Sequence, residues 1–376
     1  MITHLTIRNF KAHTLAELPL ANLNVFTGLN GVGKSSAIQA LLLLRQSYLK
    51  NNSLHNGLLL NGELVEIGTG ADALNSKGDN ISFELQLDGT INLSWKFEKS
   101  LSANFLALTT PSPDEKHFAS CSLFNNNFQY VSAEHISSFE LHQRDTLQVE
   151  INRQISEKKG GGEFAVHFLQ YYGQQEKVIS ESLKHPQEVD DSLRAQTDAW
   201  LSEISPGVRT VIRDNQDQNV LQLRFQFEAE HGYTSEFKPE NVGFGIPYVL
   251  PVIIAILAAP KGSIVILENP EAHIHPYGQA KLAQLIALAA QAGVQIFLET
   301  HSDHIINGIQ VAVKHFSKGR PGISHEQVRI YYFQRARGQT TTHLDAVPVS
   351  PEGKIYAPPV GFFDQIDQDL QALMGF

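Results

Sequence analysis

The chain has 376 residues, 42% of them hydrophobic and 18% charged, with a net charge of −10. That composition is globular rather than disordered and gives no bulk attraction to phosphate polymers, so a dedicated nucleic-acid binder is disfavoured. The lone cysteine, Cys121, cannot form an internal disulfide, which excludes a cysteine-built zinc cluster and points to a reducing, cytoplasmic setting.

The N-terminus, MITHLTIRNFKAH, lacks the apolar core of a secretion signal. Its first stretch, Ile2 to Phe10, alternates apolar and polar residues and reads as an edge strand. Leu23 to Phe26 reads as a second strand, followed by GLNGVGKSS and a helical run from Ala37 to Leu49. The spacing of Gly28, Gly33, Lys34 and Ser35 satisfies G-x-x-x-x-G-K-[ST] in the strand–loop–helix context that this motif requires. Glycines let backbone N–H groups converge on phosphate oxygens, Lys34 adds a point charge, and the Ser35 hydroxyl can ligate Mg²⁺. The helix that follows turns its positive end toward the same anion. Asn30, Gly31, Val32, Gly33, Lys34, Ser35 and Ser36 are therefore the expected phosphate-binding set for a nucleoside triphosphate with Mg²⁺.

Residues 81–97 read as a hairpin closed by Asp88-Gly89. TTPSPDEK and EKKGGGEF mark loops, residues 164–204 read as helical with Trp200 and Leu201 facing a core, and 219–228 as a strand. From 241 onward, apolar strands and helices alternate, which implies a mainly parallel sheet. No segment is long and apolar enough to span a bilayer; the best candidate, Val249 to Ala259, is short and contains Pro251. The strand VILE ends in Glu268, Asn269, Pro270 and Glu271, which is how a buried strand delivers carboxylates to the ligand-binding edge of an open α/β sheet.

These motifs together resemble the ABC-type ATPases of the RecF, SMC and OLD group. IRNFKAH before TGLNGVGKSS is similar to their opening strand, LENPEAHIHP to their Walker B and D-loop, and LETHSDHI to their switch-histidine motif. NGELVEIG, YVSAEH, GGEFAVHFL, NVGFGIPYVLP and GFFDQ resemble a branch with a small C-terminal domain of unknown function. The resemblance implies an ABC-type head with a mixed, mainly parallel sheet. Its nucleotide-binding lobe would comprise residues 1–100 and 246–345, with an inserted α-rich signature lobe at 101–245 and a short extension at 346–376.

It also implies site residues. Glu268 takes the position of the metal-holding acid, acting on Mg²⁺ through water. Asn269 stands where ABC-type ATPases carry the general base, and an amide cannot accept a proton at neutral pH. Glu271 either substitutes as base or caps the next helix, and His301 occupies the switch position beside the γ-phosphate. In the signature region Gly243 and Gly245 are present, but Pro247 and Tyr248 replace the Ser and Gln of this branch. Pro supplies neither a hydroxyl nor an N–H. The resemblance thus implies a slowly hydrolysing, ATP-dependent homodimer that gates a protein effector such as a nuclease or toxin, in prokaryotic anti-phage defence.

Other readings are weaker. A RecF-like clamp that binds DNA directly would need a basic stripe, which the net charge does not favour. An OLD-type nuclease needs a larger domain after the switch histidine. A transporter ATPase fits poorly with the long insertion and serine-free signature. His273, His275, His301 and His304 could ligate a transition metal, but H-x-H and H-x-x-H lie on separate segments. Ser302-Asp303 reads as a helix N-cap. Near the C-terminus, Ile366, Leu370 and Leu373 read as the packed side of a helix whose acids Asp364, Asp367 and Asp369 face solvent.

Overall fold

The structure is a computed structural model and describes residues 1–50, 52–132, 140–178 and 180–374. The chain opens with β1 (Ile2–Phe10), β2 (His13–Pro19) and β3 (Leu23–Gly28), then enters α1 (Lys34–Leu49). β4 (Gly57–Leu59), the short helix α2 (Gly70–Ala73), β5 (Ser82–Leu87), β6 (Ile91–Lys96) and β7 (Phe105–Ala107) follow. The middle holds β8 (Phe128–Ser132), β9 (Leu141–Gln143), α3 (Ala165–Tyr172), α4 (Leu193–Ile204), β10 (Val208–Asn215), β11 (Val220–Ala229) and β12 (Gly232–Tyr233). Last come α5 (Gly245–Leu257), β13 (Ile264–Glu268), α6 (Pro276–Gln291), β14 (Gln295–Glu299), α7 (Asp303–Ser317), β15 (Val328–Gln334), β16 (His343–Ala346) and α8 (Gln365–Met374).

The sheet that positions the site has the order β16-β15-β3-β14-β13-β8, parallel throughout except for β16. Its central strands β3, β14 and β13 bury side chains on both faces because both faces are covered. Val25, Val265, Leu267, Ile296 and Leu298 point into one core with α3 to α7. Phe26, Ile264, Ile266 and Phe297 point into the other, with α1 and the antiparallel sheet β2-β1-β5-β6. This is the mixed, mainly parallel α/β architecture expected, and the parallel strands bring their C-terminal ends to one edge.

Three local expectations meet the structure differently. β1 is not an edge strand: β2 and β5 pair on its two sides. Alternation reports that one face is buried and is silent about lateral neighbours. Residues 164–204 are two helices rather than one helical run, since α3 stops at Gly173 and α4 restarts after its cap, Ser192. Pro186 lies in the irregular stretch between them. Trp200 and Leu201 are buried as expected. In α8, Leu370 and Leu373 are exposed instead of packed, and the side chain of Ile366 lies outside the description. Helical spacing defines a stripe but not a surface for it to meet.

The Asp88-Gly89 turn does close the β5–β6 hairpin: Leu87 pairs with Ile91 across the loop Asp88-Gly89-Thr90, and both turn residues are left-handed (φ 49° and 71°). The 101–245 stretch is not segregated from the nucleotide-binding sheet. It supplies β8, the edge strand beside β13, as well as an antiparallel sheet formed by β9 to β12. Of the YVSAEH motif, residues 133–135 lie outside the described residues. Phe362 of GFFDQ is buried against Tyr332 on β15, ring centres 5.6 Å apart. Among the described residues, no helix is long and apolar enough to cross a membrane.

Candidate nucleotide site

The phosphate loop leaves β3 at Gly28, where the chain runs directly beside β15. A Cβ on Gly28 would fall 2.1 Å from the Phe333 carbonyl oxygen, so only glycine fits. Gly33 caps α1 with φ 103°, a left-handed conformation that other residues adopt at a cost. The apex residues Asn30 and Gly31 are exposed, while Val32 is buried and anchors the loop in the core. Helix α1 carries no acidic residue of its own in its first turn, whose N–H groups begin the helix at the loop.

Two segments brace this loop from outside the motif. The Nε2–H of buried His13 donates to the Gly33 carbonyl at 2.9 Å, and burial pulls the imidazole pKa down, which keeps it neutral. Thr342, between β15 and β16, donates its hydroxyl to the Val32 carbonyl and its N–H to that of Ala12. Neither brace is visible as a pattern in the sequence, because both partners are distant in the chain.

Lys34 is buried. Its Nζ donates to the Gly28 and Leu29 carbonyls at 3.0 and 2.8 Å and lies 3.9 Å from Glu299 Oε1. Burial lowers the ammonium pKa and Glu299 opposes that shift. The Ser35 hydroxyl donates to the same carboxylate oxygen at 3.0 Å, and Ser36 is buried behind it. Glu299 was not among the residues expected in the site. It ends β14, whose other residues are buried, and an acid at the end of an otherwise apolar strand is the signal that singled out Glu268.

Glu268 and Glu299 are register partners on adjacent strands. Glu268 Oε2 accepts from the Tyr130 hydroxyl of β8 at 3.0 Å. Burial first, and the two carboxylates with it, push the Tyr130 phenol far above its ordinary range, so it stays protonated and donates. Asn269 has φ 49° and donates its N–H to the Glu299 carbonyl at 2.9 Å. Asn is enriched in that left-handed region, which is a local reason for an amide here.

Glu271 does not cap α6; the His275 Nδ1 does, accepting from the Tyr277 N–H. Instead Glu271 Oε1 accepts from the Thr300 hydroxyl at 2.6 Å and the His301 N–H at 2.9 Å. This buried carboxylate ties the loop after β13 to the loop after β14, and burial raises its pKa. His301 itself is exposed at the strand end, and Ser302 caps α7 by accepting from the Ile305 N–H.

The signature stretch packs against His273 in the loop after β13. Gly243 and Phe244 are exposed, and α5 begins at Gly245. A Cβ on Gly245 would meet the His273 carbonyl oxygen at 2.6 Å, and the Tyr248 and His273 rings stack edge-on at 4.9 Å. Pro247 falls in the first helical turn, where its missing N–H removes no intrahelical bond. The histidines considered as metal ligands are engaged separately: His273 by Tyr248, His275 as a cap, His304 beside Asp303. Among the described residues, no group of three or more His, Cys, Asp or Glu side chains could hold a metal ion.

A family model described as "AAA domain, putative AbiEii toxin, Type IV TA system" matches residues 23–307, from the phosphate-loop strand into α7. The chain belongs to this AAA_21 family. A second model, a protein of unknown function (DUF3696), matches residues 323–373 behind the AAA_21 region. No curated protein matches the sequence. Among solved structures, an SMC head bound to the C-terminal winged-helix domain of ScpA is similar at TM-score 0.55 and 13% identity, covering 92% of this chain and 98% of that one. A Pyrococcus furiosus Smc head with an extended coiled coil, bound to the C-terminal domain of ScpA, is similar at TM-score 0.51 and 11% identity, covering 99% of both chains. At such identities the likeness concerns the fold. Together with the AAA_21 match it makes the chain an ABC-type ATPase of the RecF/SMC-like group.

ATPases of this kind act on ATP with Mg²⁺, and the oxygen donors at the sheet edge fit that hard cation: the Ser35 hydroxyl and the Glu299 carboxylate are 3.0 Å apart, with Glu268 on the next strand.

Proposed function

We propose that this AAA_21 protein is an ATP-gated dimeric switch, cytoplasmic and slow to hydrolyse, that controls a protein effector in prokaryotic defence. One observation carries the reading. The phosphate loop, Lys34, Ser35 and the strand-end acids form one half of a nucleotide site, whereas the expected other half, the signature stretch with Gly243 and Gly245, opens to solvent at Gly243 and Phe244 just ahead of α5. Two copies arranged head to tail would complete each other's sites, with the bound triphosphate between them. Slow turnover follows from the chemistry of Asn269, which can orient water but takes no proton. Glu271 is a poor replacement, because one of its oxygens already accepts two hydrogen bonds. Pro247 offers no hydroxyl to a γ-phosphate. The defence setting draws support from the toxin–antitoxin wording of the family description.

Light scattering with and without ATP–Mg²⁺ tests the switch. A mass that doubles with nucleotide, and does not do so in Lys34→Ala, is expected; a monomer under both conditions overturns it. Salt-sensitive duplex binding at low micromolar protein would instead favour a DNA clamp.

A further inference from the structure

We propose that Glu299 seats the divalent cation of the bound nucleotide together with Ser35, and that its charge makes triphosphate binding conditional on the metal. The inference rests on the nucleotide-binding reading above and assigns a residue that the motifs do not.

Glu299 ends the strand that lies between the phosphate-loop strand β3 and the Glu268 strand β13. It is 4% exposed, so its charge is poorly screened by water. Its Oε1 lies 3.0 Å from Ser35 Oγ and 3.9 Å from Lys34 Nζ, the two side chains that address the metal and the phosphates in this loop type. A serine hydroxyl can donate its hydrogen to Glu299 and still offer lone pairs to a cation. Mg²⁺ in nucleotide sites is commonly held by one or two carboxylates plus phosphate oxygens, and here the carboxylate aimed at Ser35 belongs to Glu299. Glu268, which occupies the family's metal-holding position, shares one oxygen with Tyr130 on the far side of the same edge.

A phosphate that reaches Lys34 Nζ comes close to the Glu299 carboxylate. Without a cation between them, two buried like charges repel. With Mg²⁺ seated, the same carboxylate becomes an attractive contact. Glu299 therefore rewards metal-bound ATP and rejects metal-free ATP. A purely structural role, tethering Ser35 and Lys34, would survive replacement by an uncharged amide that still accepts the Ser35 hydrogen.

The test is titration of a fluorescent ATP analogue into the full chain, with Mg²⁺ and with EDTA. Wild type is expected to bind much more weakly in EDTA. In Glu299→Gln the ratio of the two dissociation constants should shrink by at least about tenfold, because the metal-free nucleotide gains and the metal-bound one loses. An unchanged ratio overturns the proposal. Lys34→Ala is the control for the underlying reading and should weaken binding in both conditions. If it does so while the Glu299→Gln ratio stays constant, only the metal-seating role fails. If wild type binds no nucleotide, or Lys34→Ala binds like wild type, the nucleotide reading fails and takes this one with it. Should Glu299→Gln not fold by circular dichroism, Glu299→Asp keeps the charge but shortens the reach. The Mg²⁺ concentration at half-maximal binding should then rise several-fold, and an unmoved midpoint overturns the proposal.

Discussion

The phosphate-loop end of the central sheet and the start of α5 are built on opposite plans. At the first, a buried lysine, a serine and carboxylates from neighbouring strands converge, and the backbone is clamped by His13 and Thr342. At the second, Gly243 and Phe244 stand exposed just ahead of α5, while the helix itself is buried in the core and Gly245 lies close against His273. Groups held in place by buried partners of the same chain are preorganised for a ligand. A region anchored behind and open in front can receive something brought to it, which is the ground for proposing that another copy completes the nucleotide site.

Substitutions can break or sharpen that contrast. The largest effect is expected from Asn269→Glu, which places a proton acceptor beside Glu268. Single-turnover ATP cleavage should accelerate by roughly 10²-fold or more, in the usual range for a general base. The backbone at φ 49° opposes the change, so stability should drop by about 1–2 kcal/mol in a denaturant melt. An unaltered cleavage rate would mean that the base is not what limits turnover.

Next in size is Lys34→Ala. The ammonium makes charged hydrogen bonds in this loop, worth about 1.5–3 kcal/mol each, so nucleotide affinity should fall roughly 10- to 100-fold. Calorimetric or fluorescence titration measures it directly.

The two signature glycines should then separate. A Cβ at Gly243 meets nothing within 4 Å, whereas one at Gly245 lies 2.6 Å from a backbone oxygen. Gly243→Ala should leave the melting curve within about 0.5 kcal/mol of wild type. It should nevertheless weaken the ATP-dependent dimer by roughly tenfold, about 1.4 kcal/mol. Gly245→Ala should cost about 1–3 kcal/mol of stability in the monomer itself, because backbone must shift. Equal effects of the two on dimer and monomer would erase the distinction between an open front and a packed back.

The smallest effect is a pH dependence. Burial holds the Glu271 carboxyl above its ordinary value of 4.5, against hydrogen bonds from Thr300 and the His301 N–H. A group whose folded pKa is raised contributes stability fully below its unfolded pKa and loses it as pH rises through the folded value. Wild type should therefore gain on Glu271→Gln as pH falls from 8 toward 5, by on the order of 1 kcal/mol. Thermal melts at both pH values check this; a constant difference would argue against a raised pKa.

The parallel strands, the phosphate loop and the Asp88-Gly89 turn were legible because each depends on a short window. Glycine spacing, apolar runs and a turn dipeptide state their geometry locally. Glu268 was legible for the same reason, as an acid that ends a hydrophobic run. Glu299 satisfies that criterion equally, yet what makes it matter is its distance to Ser35, set by the placement of β14 between β3 and β13. Strand order is a property of the packed sheet, since a parallel crossover can return on either side of several neighbours. The braces on the loop from His13 and Thr342, and the Glu271 tie to Thr300, were hidden because their partners are far apart in the chain.

The sequence by itself determined that this chain builds a phosphate loop ahead of a mainly parallel sheet, because those features are encoded by residues a few positions apart. Only the tertiary structure decided which carboxylate faces Ser35 and which side of α5 stays open. Those outcomes depend on lateral strand order and on packing between distant segments, which no local pattern specifies.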